Sequence, residues 1–358
     1  MQILARRRLL AAGSLVAALV PAAPATADVY TQTNSPSGNA VQVLDRAADG
    51  TLTPAGTAPT GGAGTGAGLG SQGAVTLDAS GRLLYAVNAG SNSVTVFSVR
   101  PDGALRKLDT FGSRGTTPVS VAVRGNRVAV LNAGGTPSVA TFLQTPVGVV
   151  SLPGSTRSLP AGAGGPAQVS FTPDGRRLVV TERTANRLDT FRLDGLGRPA
   201  AGVSTASSGS VPFGFDITRD GFVVVSEAAA STASSYTVAG DGTLSLISAS
   251  VPTLQGAACW VVATEDGRFA YTANAATGSI TAFGVNTAGE LTRLAADGRS
   301  ASSPRPTDVA LSDGDGFLYA LNSTTGEITA YARTADGGLA QIAGAAGLPA
   351  GQVGIAAR

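Results

Sequence analysis

Histidine is absent from all 358 residues, and cysteine, tryptophan and methionine occur once each, as Cys259, Trp260 and Met1. Without histidine there is no Ser-His-Asp triad, no Cys-His dyad, no His-ligated zinc and no imidazole acid–base catalysis. With one cysteine there is no internal disulfide, so the fold rests on its apolar core. Charged residues make up only 13% and aromatics 5%, and all of the 25 basic residues but Lys107 are arginine. No basic run follows the N-terminus, so nucleic acid is not an expected partner. No apolar run beyond the first 20 residues is long enough to cross a bilayer. What remains is 43% hydrophobic, too apolar for a disordered chain, and rich in glycine (48 residues).

The N-terminus has its own signature. Arg6, Arg7 and Arg8 precede an apolar stretch from Leu9 to Val20, and Ala25-Thr26-Ala27 forms a small-residue cleavage site. Residues 1–27 therefore read as a secretory signal peptide, leaving residues 28–358 as a single mature domain. The general secretory route is expected, and "RRRLL" also suits the twin-arginine route. Either places the protein outside the cytoplasm.

The mature chain repeats one unit seven times. "LYAVNAGSNSVTVFSV" (84–99), "VAVLNAGGTPSVATFL" (128–143), "LVVTERTANRLDTFRL" (178–193), "VVVSEAAASTASSYTV" (223–238), "AYTANAATGSITAFGV" (270–285) and "LYALNSTTGEITAYAR" (318–333) share a frame, and "VYTQTNSPSGNAVQVL" (29–44) is the seventh. Their anchors are Asn34, Asn88, Asn132, Glu182, Glu227, Asn274 and Asn322, spaced 44 to 54 residues apart. Each unit reads as four short strands, A to D, with Asp-Gly turns such as Asp174-Gly175 and Asp241-Gly242 supplying hairpin chemistry. These aspartates lack the alternating acidic ligands of a calcium loop, so no metal and no cofactor is expected. The pattern predicts an all-β, seven-bladed β-propeller of four-stranded blades. The first unit begins at strand B ("DVYTQTN"), and "QVGIAA" (352–357) reads as its missing strand A, so the two ends pair and close the ring. "TGGAGTGAGLG" (60–70) reads as a flexible linker between blades. Because the blades bury their faces against one another, a monomer is expected.

Strand A is innermost and antiparallel to strand B, so the start of A and the end of B share one face. Aligning the units places Ala74, Ser120, Gln168, Gly214, Trp260, Asp308 and Gln352 around the channel mouth, with the Asn/Glu ring on the same face. The five asparagines suit backbone capping at strand ends. Glu182 and Glu227 break that pattern, and a catalytic role and an ion-pair role are both open for them. Arg183, Arg187 and Arg305 are candidates for the same mouth. Cys259 has only apolar neighbours and no base, which favours an inert buried thiol. Trp260, beside it in "GAACWVV", serves either as packing between blades or as a ligand wall.

"LYAVN" (84–88) resembles the YVTN-type propeller repeat. "PAQVSFTPDGRRLVVTERTANRLDTF" (166–191), "VPFGFDITRDGFVVVSEA" (211–228) and "AACWVVATEDGRFAYTANAATGSITAF" (257–283) resemble secreted bacterial members of the seven-bladed lactonase family. That family includes the propeller-type 6-phosphogluconolactonase. The resemblance implies a small-molecule cleft at the mouth, served by a His, a Glu and arginines. Gln168 stands where the family's Pro-x-His segment carries its histidine. Two functions stay open. One is lactone hydrolysis by Glu182 or Glu227, with Gln168, Trp260, Asp308, Arg187 and Arg305 binding the substrate. The other is a propeller that binds a small molecule or envelope component without catalysis.

Overall fold

The repeated segments form strands because each B and C strand is a run of five to eight residues rich in β-branched, aromatic and small side chains. The computed structural model describes residues 27–358, so the leader reading lies outside the described residues except for Ala27. Blade 4 shows the common plan. Pro166–Phe171, Arg177–Glu182, Arg187–Leu193 and Pro199–Ala206 are hydrogen-bonded in that order as strands A to D. The inner three strands are largely buried, and strand D is mostly exposed. Six further sheets repeat the order, and blade 6 adds the short segment Ala301–Ser302 beside its strand C. Among the described residues the one helical element is a 3-10 turn at Asp313–Asp315.

The A strands touch one another in sequence around an axis, and the last of them, Val353–Ala357, touches both Asp308–Leu311 and Val75–Leu77. The ring is thus closed. Its closing strand pairs antiparallel with Ala27–Gln32, with Val29 opposite Ala357 and Tyr30 opposite Ala356. Arg358 then ties back to Asp28, its Nε donating to Oδ2 at 2.9 Å. This joining of the two termini is the closure expected of blade 1.

The core lies between blades. Phe171, Leu178 and Phe191 of blade 4 pack on Val119, Leu131 and Val139 of blade 3. Burying each such side chain contributes roughly 1.5–3 kcal/mol, and every blade needs two neighbours to do so.

A polar latch repeats on the face that carries the B–C turns, hereafter the upper face. Asn92, Asn186 and Ser231 each stand four residues after an anchor and adopt a left-handed backbone (φ 54°, 55° and 56°). Their side chains accept the amides of Thr117, Val211 and Ala257 in the connections to the next blade, at 2.7, 2.7 and 3.0 Å. Those three acceptor-bound residues are left-handed as well (φ 54°, 61° and 58°). Left-handed Thr and Val are strained, and the latch with its backbone partners offsets that strain.

Candidate functional site

The inner strands begin in the predicted register. Ser120, Gln168, Trp260 and Asp308 lie opposite Leu131, Thr181, Ala273 and Leu321, the residues just before four of the anchors. A bulge precedes this position in blades 3, 4 and 6, where Pro118, Pro166 and Ala258 pair with the anchors themselves. In blades 3 and 4 the side chain that follows the bulge reaches the next blade. Gln168 uses this to clamp two blades. Its Nε2 donates to Phe215 O and its Oε1 accepts Phe215 N, both at 2.8 Å. The Ser120 hydroxyl accepts Val169 N, and Asp216 Oδ2 accepts Ala263 N at 2.9 Å.

The channel mouth is not open. The segment after the glycine-rich linker, residues 69–73, crosses the axis and fills it. Ser71 donates its hydroxyl to Val119 O of blade 3, and Gln72 N donates to Ala167 O of blade 4. The Gln72 side chain spans to blade 6, with Nε2 donating to Val261 O at 2.6 Å and Oε1 accepting Val261 N at 3.0 Å. Trp260 donates its indole N–H to Ser71 O at 3.0 Å. Gly214 is glycine for a reason, since a Cβ there would stand 2.1 Å from Gln72 Oε1. The linker itself is held, with Gly64 N and Gly66 N bonded to Ser35 O and Asn34 O. The linker expected to be flexible is thus tied to the B–C connection of blade 1.

Glu182 and Glu227 have no exposed surface and belong to separate blades. Glu182 Oε2 accepts Gly164 N at 2.6 Å, and Oε1 accepts Arg187 Nε and Nη2 at 3.1 and 2.9 Å. Glu227 accepts Gly209 N at 2.6 Å and the hydroxyls of Ser207, Thr232, Ser234 and Ser250. The asparagine anchors do the same work. Asn88, Asn274 and Asn322 donate to Thr95, Thr281 and Thr329, seven residues on. A general base must reach the proton it removes. In this geometry the catalytic role expected of Glu182 and Glu227 gives way to an anchoring one. Arg187 also leaves the mouth. It is bound to Glu182 and donates to Pro160 O and Ala161 O, so the substrate contact expected of it is replaced by a buried ion pair. In blade 4 the residue seven on is Asp189, so two carboxyl groups share Arg187. Burial, followed by the hydrogen bond to Glu182, pushes the Asp189 carboxyl up to about 8.

One arginine does stay at the centre of the upper face. Arg183 lies over the Phe213 ring at 5.3 Å, and Phe213 meets Trp260 edge-on at 5.1 Å. Arg183 Nε donates to Gly165 O, and among the described residues the guanidinium has no carboxylate partner. Burial lowers its pKa, because desolvation disfavours the unpaired charge. Cys259 is buried beside it. Burial raises the thiol to about 12 against the weaker pull of Arg183, so the inert reading stands on physical grounds. Trp260 is 8% exposed, which makes it a support under Phe213 rather than an open wall. Arg305 is exposed in the connection to blade 7 with no polar contact to the other site residues.

Beneath residues 69–73 the axis widens into a well of about 360 Å³ that reaches the A–B turns of blades 6 and 7. Gln168 and Asp308 meet there, with Gln72, Asp216, Glu265 and Asp315. Burial raises Asp308 well above the carboxylate range and Asp216 to about 6. Gln72, Phe213 and Asp216 were not among the predicted site residues. The signal for Gln72 was the interval from Asn34 to Asn88, the longest of the six at 54 residues.

Compared with known families, the chain matches the model described as lactonase, 7-bladed beta-propeller, over residues 37–142, 149–263 and 253–352. None of the curated proteins compared matches it. Among solved structures, a candidate 6-phosphogluconolactonase from Bacteroides uniformis superposes with a TM-score of 0.75 at 17% identity, covering 94% of this chain and 100% of that one. The periplasmic gluconolactonase of Pseudomonas aeruginosa gives 0.69 at 19% identity, covering 93% and 99%. Virginiamycin B lyase from Staphylococcus aureus gives 0.54 at 15%, covering 78% and 85%. At these identities the likeness is one of fold.

Proposed function

The chain belongs to the seven-bladed lactonase propeller family, and from that premise we propose that it is an exported propeller that binds a small carboxylate-bearing molecule, of the sugar-acid and sugar-lactone class, beside Arg183. The observation that carries this is the half-buried guanidinium on Phe213 with no acidic partner. An unpaired charge removed from water is costly, and a ligand carboxylate would relieve that cost through a forked pair of hydrogen bonds. The buried Phe213 ring, braced by Trp260, holds the guanidinium in place for such a ligand. Binding without hydrolysis follows from the chemistry at the mouth. Gln168 is neutral and spent on Phe215, and Glu182 and Glu227 are enclosed.

A second reading keeps lactone hydrolysis but moves it. Asp216, raised to about 6 in the axial well, is suited to exchanging protons near neutral pH. Calorimetric titration with gluconate, galacturonate and 6-phosphogluconate, beside a hydrolysis assay on the corresponding lactones, separates the two. The binding reading expects saturable binding of an acid that Arg183→Ala weakens about tenfold or more, with no turnover. Turnover lost in Asp216→Asn and kept in Arg183→Ala would replace it with the second reading. Acid binding indifferent to Arg183→Ala would remove it.

A further inference from the structure

Charge is unevenly shared around the ring. Blades 3 and 4, residues 116–206, hold nine arginines and four acidic residues, whereas the rest of residues 28–358 holds thirteen basic and nineteen acidic ones. Two of those four acids, Glu182 and Asp189, are the buried pair on Arg187. That leaves Asp174 and Asp194 against an arginine-rich surface, on the face opposite Arg183 that carries the A–B and C–D turns.

The arginines line a trough there. A recess of about 850 Å³ lies between the turns of blades 3, 4 and 5 and is bordered by Arg127, Arg176, Arg177 and Arg192, with Asp174 and Asp194. It shares Arg192 and Asp194 with a recess of about 580 Å³ near the outer strand of blade 4, where Arg157 and Arg198 stand. It shares Asp174 and Arg177 with a third, of about 300 Å³, that reaches Arg219. Two of the guanidiniums are fixed in place. Arg127 donates to Gly175 O and Gly195 O, and Arg177 donates to Gly240 O. Arg176 and Arg192 are exposed, and their guanidinium groups make no hydrogen bond or ion pair with the described residues. Fixed charges lose little freedom on binding, and the free ones remain available to a ligand.

We propose that this trough binds an acidic oligosaccharide, a chain of uronic-acid-type sugars several units long. Its length follows from the three recesses sharing walls, which makes one extended track rather than one pocket. Arginine forks match sugar carboxylates, and Asp174, Asp194 and Asp220 along the track accept the hydroxyls between them. The same aspartates oppose a ligand as densely charged as polyphosphate. No aromatic residue lines any of the three recesses, so nothing offers a stacking surface to nucleic acid bases.

The test is calorimetric titration of the mature chain with oligogalacturonate of about eight units, at about 20 mM and about 300 mM salt. Saturable binding is expected at low salt, weakening as salt rises. Arg176→Ala with Arg192→Ala should weaken it about tenfold or more without changing the melting temperature, because neither side chain supports the fold. Arg183→Ala, on the other face, should leave it unchanged. Absence of binding at low salt, or binding indifferent to the double substitution, overturns the proposal. So does loss of binding in Arg183→Ala alone, which would assign the sugar to the upper face. Equal or tighter binding of polyphosphate or single-stranded DNA overturns the choice of ligand.

Discussion

Replacing Arg358 by alanine tests the closure of the ring at one contact. Asp28 has no exposed surface, and its Oδ2 accepts Arg358 Nε at 2.9 Å and the Tyr30 hydroxyl at 3.2 Å, while Oδ1 has no partner among the described residues. Burial raises the Asp28 pKa, and Arg358 is the main force opposing that rise. Without Arg358 a buried carboxylate is left with one hydroxyl, a change that costs about 3–5 kcal/mol. At roughly 2–4 °C per kcal/mol for a chain of a few hundred residues, melting should fall by about 6–20 °C at pH 8. The gap should narrow as pH falls through the raised Asp28 pKa of the variant, since a protonated Asp28 needs no cation. Asp28→Asn in the Arg358→Ala background should recover most of the loss. Scanning calorimetry of the three proteins at pH 5 and 8 reads all of this. A fall below about 2 °C at pH 8, or no recovery in the double variant, would refute the closing role of this pair. Deleting residues 350–358 removes Ile355 and Ala356 from the core as well and should lower melting further.

Asp189→Asn should flatten the pH dependence of stability. A carboxyl raised to about 8 in the folded state stays protonated there while the unfolded chain ionises, so it stabilises fully below about pH 4 and loses that contribution as pH rises toward 8. The variant should therefore gain on the parent between pH 5 and 8 in urea titrations, and parallel profiles would count against a raised Asp189 carboxyl. Gln72→Ala should cost about 2 kcal/mol or more, because it strips the partners from the buried N–H and C=O of Val261. A loss under about 0.5 kcal/mol in guanidinium titration would mean that residues 69–73 do not brace the ring. Cys259, raised to about 12, should resist a disulfide reagent at pH 8 in the folded protein and react fully once unfolded. Rapid reaction in the folded state would contradict its burial.

The architecture was legible because it rests on period and register. Turn chemistry recurs at fixed offsets from Asn88, Glu182 and Asn274, and an inner strand missing at one end was present at the other as "QVGIAA". The fourth position after the anchor was legible too, in principle. Asn92, Asn186, Ser231, Gly278 and Gly326 are all residues that tolerate a left-handed turn, and all adopt one. The site was harder to read because it depends on where side chains end, and two features hide that from a repeat alignment. A bulge before Gln168 and Trp260 redirects their side chains. A segment outside the repeat, residues 69–73, then occupies the space they face.

The glutamates were ambiguous for a related reason. A carboxylate standing among asparagines looks like chemistry, but an anchor that must accept an amide N–H can be either residue. Asn88 accepts the Asn39 side chain at 3.0 Å, while Glu182 and Glu227 accept Gly164 and Gly209 amides at 2.6 Å. The longer side chain reaches the segment leading into strand A of its own blade directly. Once that role is assigned, the half-buried charge without a carboxylate partner at the centre of the upper face is that of Arg183, the residue immediately after one of those anchors. A functional group on this ring is therefore best sought next to the conserved frame of the repeat, at positions where the fold has no use for the charge. Arg183 above and Arg176 with Arg192 below meet that condition, and Glu182, Glu227 and Arg187 do not.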